Sequence, residues 1–393
     1  MFKLVFLLST LTAQAFGSFN VVHYNIKELS TLKLLEKSEQ VEMAVKVLNK
    51  QYFDILSINE IQYDLPGVPL KELKTRGQNM KLLGSYLGLD WSDAFGPANT
   101  GMDAKKGVDG NYYFDPYDSN ARKNADFVSY GLFPAQYSTG GLFKFKVKEV
   151  KIFQNLKWID FNPSLDLTPY KDISGADFPK DMKLFDKNFT DATLEIEGRD
   201  VHVIFFHTVP AYHFGNKLTP NYIRNEDQLK FLEWYLTGST DLKVGELEIK
   251  PLQKDDIFIA MGDWNTDIKN AENPGSLVLN SLFKKVSLWM ETPAVTYVGQ
   301  SLHHETINLT LDYIVFRGLK LVKGGVYRPE SGLKTIKCTS GKIEEEVEIE
   351  EDLVFFTYSK SKDEKCRAQV FRDYYQLKNA SDHLPLWAEF DFL

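Results

Sequence analysis

Cysteine is nearly absent: Cys338 and Cys366 are the only two in 393 residues. Two thiols with no histidine near them in sequence make a poor zinc site, which removes the zinc-thiolate proteins from consideration. Long apolar runs are missing as well, and no segment approaches the 18 residues of a membrane-spanning helix. Positive charge is in deficit, with 46 Lys and Arg against 54 Asp and Glu and a net charge of −8. The chain therefore has no global field to gather nucleic acid or an anionic membrane, although a local groove or bound cations could still hold one anionic group. There is no internal repeat, no low-complexity linker and no break in composition, so a single large domain is expected. The remainder, 43% apolar and 25% charged, is ordinary for a globular protein. The 13% aromatic content suits a large core between packed sheets.

The N-terminus reads as a targeting segment. Lys3 precedes a largely apolar run from Leu4 to Leu11, and Ala13-Gln14-Ala15 supplies a small-x-small cleavage pattern. Residues 1–17 are therefore expected to be a signal peptide and 18–393 the folded domain, exported to a periplasm or secreted. The run is too short for a stable membrane anchor. An oxidising compartment favours a disulfide between Cys338 and Cys366. Spacing alone also admits two free thiols.

What the chain does have is a series of short apolar strands, each ending in a side chain that carries chemistry. The central one is Ile257-Phe258-Ile259-Ala260-Met261-Gly262-Asp263-Trp264-Asn265. Its apolar half reads as a strand buried on both faces, and Gly262 permits a sharp exit. Asp263 and Asn265 then project where α/β sheets usually hold ligands, and there they could hold a metal, a water or a phosphoryl oxygen. The plain alternative is a turn, since Gly, Asp and Asn are all common in turns. Earlier, Phe19 to Ile26 reads as a strand carrying Asn25, and Phe53 to Glu60 as a second strand ending in Glu60. The apolar spacing from Leu34 to Leu48 predicts a helix between them. Strand, helix, strand is the opening of an α/β layered fold. A glutamate leaving a buried strand needs a cationic partner, either a basic side chain or a metal.

Further along, Gln78 to Leu89 reads as a helix. Gly96 to Arg122 reads as a long loop of the kind that rims a site or is a plain insertion. Gly198-Arg199 should turn a hairpin whose second strand, Val201 to Phe206, delivers His207. By itself His207 would be an ordinary core histidine. Helices are expected over Arg224 to Leu236 and Gly275 to Phe283. Asn308 to Phe316 reads as one strand carrying Asp312, and Asp382 and His383 stand at the mouth of the last strand. The acidic runs Glu344 to Glu346 and Glu348 to Asp352 suggest a solvated face or a loop.

The ordered set Asn25, Glu60, His207, Asp263-x-Asn265, Asp312, Asp382-His383 resembles the endonuclease/exonuclease/phosphatase superfamily, the fold of DNase I. Four further runs are similar to an exported bacterial branch of it: Ala98 to Gly101, Gly131 to Tyr137, Phe153 to Trp158 and Asn308 to Val315. That branch generally continues with an aliphatic-Leu-Ser-basic-Tyr-Pro strand, where this chain has Ser138 to Lys144, so local substrate contacts should differ. The resemblance implies a four-layer α/β/β/α sandwich and a phosphoester hydrolase, foremost a phosphodiesterase or nuclease, acting as a monomer. It implies Mg²⁺ or Mn²⁺ held principally by Glu60, with Asn25 and Asp382 beside it. Asp263 would orient or deprotonate the attacking water, and Asn265 would hold a phosphoryl oxygen. Asp312 would fix the ring of His383, a base or a charged stabiliser, while His207 would assist the leaving group. In-line attack on phosphorus needs these parts: a placed water, a cation and help for the leaving oxygen. Two rivals stand beside a nuclease: a sphingomyelinase-like or sugar-phosphate esterase on the same fold, and a non-catalytic binding protein. Retention of the whole polar set speaks against the second.

Overall fold

The computed structural model describes residues 17–299, 307–333, 335–340, 349–350, 352–359 and 364–393. The expected signal peptide, except its last residue, the acidic run Glu344 to Glu346, and Glu348 and Glu351 of the second acidic run lie outside the described residues. Two six-stranded sheets dominate. The first runs, edge to edge, β13 (Leu319–Val326), β18 (Leu386–Phe392), β1 (Phe19–Leu29), β2 (Ile55–Ile61), β4 (Ser138–Phe143) and β3 (Ser92–Phe95). The second runs β5 (Lys146–Ile152), β6 (Phe189–Ile196), β7 (Arg199–Phe206), β8 (Ile257–Asp263), β12 (Asp312–Arg317) and β9 (Ser287–Leu288). A short ribbon pairs β10 (Tyr297–Val298) with β11 (Asn308–Leu309). A separate sheet joins β14 (Thr335–Ser340), β17 (Glu364–Phe371), β16 (Leu353–Ser359) and β15 (Ile349–Glu350).

The layers follow from the period of two in a strand. Val21 and Val22 are adjacent and both fully buried, yet they enter different hydrophobic clusters. Val21 joins Ile55, Phe143 and Phe390 against Phe205 and Phe258, the layer between the two sheets. Val22 joins Leu56 and the apolar face of α2 (Glu39–Leu48), with Val41, Ala44, Val47 and Leu48. The helices α1 (Thr31–Glu36), α2, α3 (Asn79–Tyr86) and α8 (Arg372–Ala380) contribute to that outer layer or brace it. On the far side, α6 (Asn221–Thr237) and α7 (Pro274–Leu282) bury Leu229, Leu232, Leu236, Val278, Leu279 and Leu282. Two single-turn helices, α4 (Ala121–Asn124) and α5 (Trp158–Phe161), complete the helical elements among the described residues. Helix, sheet, sheet, helix is the four-layer α/β/β/α sandwich the sequence led us to expect.

Two elements differ from expectation. The helix read over Leu34 to Leu48 is broken at Lys37, which takes a left-handed conformation (φ 48°). Its N–H and that of Ser38 return to the carbonyls of Leu34 and Lys33, closing α1 before α2 begins. Residues Asn308 to Phe316 likewise form two strands. The Thr296 hydroxyl accepts the N–H groups of both Leu311 and Asp312 at 2.9 Å, so the ladder restarts at Asp312. The hairpin turn falls one residue earlier than read, on Glu197 and Gly198, both at positive φ as suits a two-residue connection of β6 to β7, and Arg199 already opens β7. Cys338 and Cys366 are bonded, as neighbours in register on β14 and β17.

Candidate active site

Six strands, β1, β2, β7, β8, β12 and β18, bring residues together where the two sheets face each other. Asn25 lies in β1 and Glu60 in β2, which run parallel with Asn25 opposite Asn59. Both strands lose register just beyond that pair. Glu28 (φ 49°) and Glu60 (φ 63°) sit in these irregularities in left-handed conformations, uncommon for a side chain of this size. The Glu28 N–H donates to Glu60 Oε2 at 3.0 Å, so the distorted backbone holds the Glu60 carboxylate in place. His207 follows β7 immediately and Asp263 is the last residue of β8, while Asp312 opens β12 directly opposite Asp263. Asp382 and His383 follow α8 and precede β18.

Hydrogen bonds tie five of the eight expected residues together, and the hydrogen-bonded pair His383–Asp312 meets them through an ion-pair contact with Asp263. Asn25 Nδ2 donates to Asp263 Oδ2 at 2.9 Å and to Glu60 Oε1 at 3.2 Å. Asp263 Oδ1 accepts the Asn265 N–H at 2.9 Å, and Asn59 Oδ1 accepts the Asp263 N–H at 2.8 Å. Asn265, in a left-handed conformation (φ 47°), spends its amide on His207 Nε2 at 2.8 Å and on the carbonyl of Thr208 at 3.0 Å. His207 Nε2 also lies 3.3 Å from Asp263 Oδ2, and its Nδ1 is buried without a hydrogen-bond partner among the described residues. His383 Nδ1 lies 2.8 Å from Asp312 Oδ2, and its Nε2 lies 3.6 Å from Asp263 Oδ2.

The charges of this buried group are set by its neighbours. Burial works to raise the Asp263 carboxyl, but His383, His207 and the Asn265 N–H outweigh it and hold Asp263 well below the usual carboxylate range. Burial works to discharge the His383 ring, but the carboxylates of Asp312 and Asp263 overcome it and push the ring up to about 10. At neutral pH His383 is therefore an imidazolium between two carboxylates.

Asp382, the eighth residue, is placed differently. Its Oδ2 is 3.1 Å from Lys27 Nζ. Burial tends to lower Lys27, but Asp382, Glu28 and Glu60 outweigh it and raise the ammonium above its ordinary value. Lys27 and Glu28 are site residues the sequence reading missed, and so is Tyr137, whose buried hydroxyl donates to Glu28 Oε1 at 3.1 Å. Glu28 follows Asn25 by three residues, which in a regular strand would send its side chain to the opposite face. Only the irregularity in β1 brings it beside Glu60.

The donor set fits a hard divalent cation. Asn25 spends both amide hydrogens on carboxylates, leaving its buried Oδ1 without a hydrogen-bond partner among the described residues. Glu60 adds a carboxylate a few ångströms away, and oxygen donors of this kind suit Mg²⁺ or Mn²⁺. Two groups bring three ligand atoms within 4.8 Å of one another: Glu60, His207 and Asp263, and Asp263, Asp312 and His383. The first includes the residue expected to be the principal ligand. The second is already closed by its own hydrogen bond.

No protein-family model matches the sequence, and no curated protein matches it either. Solved structures do resemble the fold. An endonuclease/exonuclease/phosphatase from Bacteroides vulgatus aligns over 96% of this chain and 100% of its own, at 10% identity and a TM-score of 0.49. Sphingomyelinase C from Streptomyces griseocarneus aligns over 95% and 99%, at 15% identity and a TM-score of 0.46. A variant beta toxin from Staphylococcus aureus, with bound magnesium ions, aligns over 95% and 99%, at 13% identity and a TM-score of 0.43. By its own sheet orders and core clusters this chain is a four-layer α/β/β/α sandwich.

Proposed function

We propose that the chain is an exported, divalent-metal-dependent phosphoester hydrolase, foremost a phosphodiesterase or nuclease, built as one catalytic domain over residues 18–393. The observation that carries this reading is the hydrogen-bonded path Glu60–Asn25–Asp263–Asn265–His207, with the His383–Asp312 pair set against Asp263 as an ion pair at 3.6 Å. A cation held by Glu60 and Asn25 Oδ1 would offset charge on the phosphoryl oxygens. Asp263, depressed and therefore anionic, is a poor proton acceptor but a good acceptor of a water's hydrogen bond, so its part is to orient the nucleophile. His383, charged at neutral pH, offers Nε2–H to a developing negative charge instead of serving as a base. Asp312 holds that ring by Nδ1. Asn265 has both amide protons engaged, so it acts first by aiming His207 toward the leaving group, and reaches a phosphoryl oxygen only by exchanging one of those bonds.

The test is hydrolysis by the purified mature protein of plasmid DNA, RNA, sphingomyelin and p-nitrophenyl mono- and diesters, with Mg²⁺, with Mn²⁺ and with EDTA. Metal-dependent turnover of at least one, lost in Asp263→Asn, is the expected result. Inactivity on all of them favours the binding-protein alternative, and turnover of sphingomyelin alone favours the lipid esterase.

A further inference from the structure

A second imidazole lies behind the site. His23 is fully buried in β1, two residues before Asn25. Its Nε2 is 3.4 Å from Asp312 Oδ1, the carboxylate oxygen that His383 does not use. Neither atom has any other hydrogen-bond partner among the described residues. The distance exceeds a normal hydrogen bond. A small closure would satisfy two buried polar atoms at once, and burying either unsatisfied is costly. On its other edge, His23 Nδ1 meets the hydroxyl of Ser57 in β2 at 3.2 Å. An ionised carboxylate only accepts, so Nε2 must carry a proton. In the neutral ring Nδ1 then accepts from Ser57.

We propose that His23 is a positioning residue for the reaction: it clamps Asp312 from the side opposite His383, with Ser57 setting its tautomer. Asp312 then stands between two imidazoles, one oxygen to each. Its carboxylate plane is fixed, and with it the direction in which His383 Nε2 points. Thr296 holds the Asp312 backbone through its N–H, but among the described residues His23 and His383 are the only side chains that meet the carboxylate as ion-pair or hydrogen-bond partners. This inference rests on the hydrolase reading for its kinetic consequence, but not for its geometry.

Two arms separate those. In the first, the ring nitrogens of ¹⁵N-histidine-labelled wild-type protein are read by NMR. The proposal requires a proton on His23 Nε2, and a bare Nε2 overturns it whether or not any substrate is hydrolysed. The second arm compares His23→Gln, whose amide reaches about as far as Nε2, with His23→Asn, whose amide reaches only about as far as Nδ1. Gln should keep the His383 ring signals and near-wild-type kcat. Asn should shift those signals and lower kcat about tenfold or more with little change in KM, the scale seen when a supporting hydrogen bond is removed. Equal behaviour of the two variants, or a loss of kcat with the His383 signals unmoved, overturns the clamp. If His23→Asn fails to fold by circular dichroism, the tautomer reading and the Gln variant decide. Absence of activity in the wild type removes the hydrolase reading and leaves the NMR result standing.

Discussion

At the scale of single residues, the site works by mutual charge. His383 is held up to about 10 by two carboxylates, so its folded value lies above that of the unfolded chain. The stability it contributes is fully present below its ordinary value of 6.5 and is lost as pH rises toward 10. Asp263 has the opposite sign: its contribution is present above the ordinary carboxylate range and lost as pH falls through its depressed value. Stability measured by chemical denaturation should therefore decline on the alkaline side, and the decline should flatten in His383→Gln. An unchanged alkaline profile in that variant would mean that the ring is not charged in the folded state. Kinetically, His383→Ala should cost at least ~10² in kcat, the scale of losing a positioned acid–base group. Asp312 acts through that ring, so Asp312→Ala should cost much in the wild type and little once His383 is already Ala. Losses that simply multiply would break the pairing.

At the scale of elements, the sequence marks strand exits well because each is an apolar run stopped by a polar residue, as at Phe206-His207 and Met261-Gly262-Asp263. It marks deviations from regularity poorly. Nothing in the spacing of Lys27 and Glu28 distinguishes them from solvent-facing strand residues, because the irregularity that turns them into the site is a backbone event at Glu28 and Glu60. His23 reads as one member of an apolar strand, and its partner Asp312 is 289 positions away in the sequence. The break at Lys37 is similarly hidden inside an uninterrupted amphipathic pattern. Helix α8, which carries the chain from β17 to Asp382, was not foreseen either: its sequence is polar and only Gln376, Leu377 and Ala380 are buried. The disulfide between β14 and β17 closes a 28-residue span, worth roughly 3–4 kcal/mol in the loop-entropy account. Replacing Cys338 and Cys366 together by Ser should lower the midpoint of chemical denaturation accordingly. An unshifted midpoint would show that the bridge constrains nothing in the unfolded chain.

At the scale of the whole molecule, the two sheets serve to bring chemically different strand ends together from opposite sides of one core. The first sheet supplies Asn25 and Glu60 as oxygen donors, and the second supplies Asp263, His207 and Asp312. His383, at the start of the strand beside β1, lies within reach of both. Among the described residues, no helix is long and apolar enough to cross a membrane. The charge surplus is acidic, so a bound cation is what would make this place attractive to a phosphate. That dependence is the centre of the account, and it is tested by the rate of phosphoester hydrolysis as a function of Mg²⁺ in the wild type and in Glu60→Gln. The account predicts no turnover in EDTA, saturable recovery with Mg²⁺ in the wild type, and a requirement for far more metal in the variant. Full activity in EDTA, or identical Mg²⁺ curves for the two proteins, would contradict it.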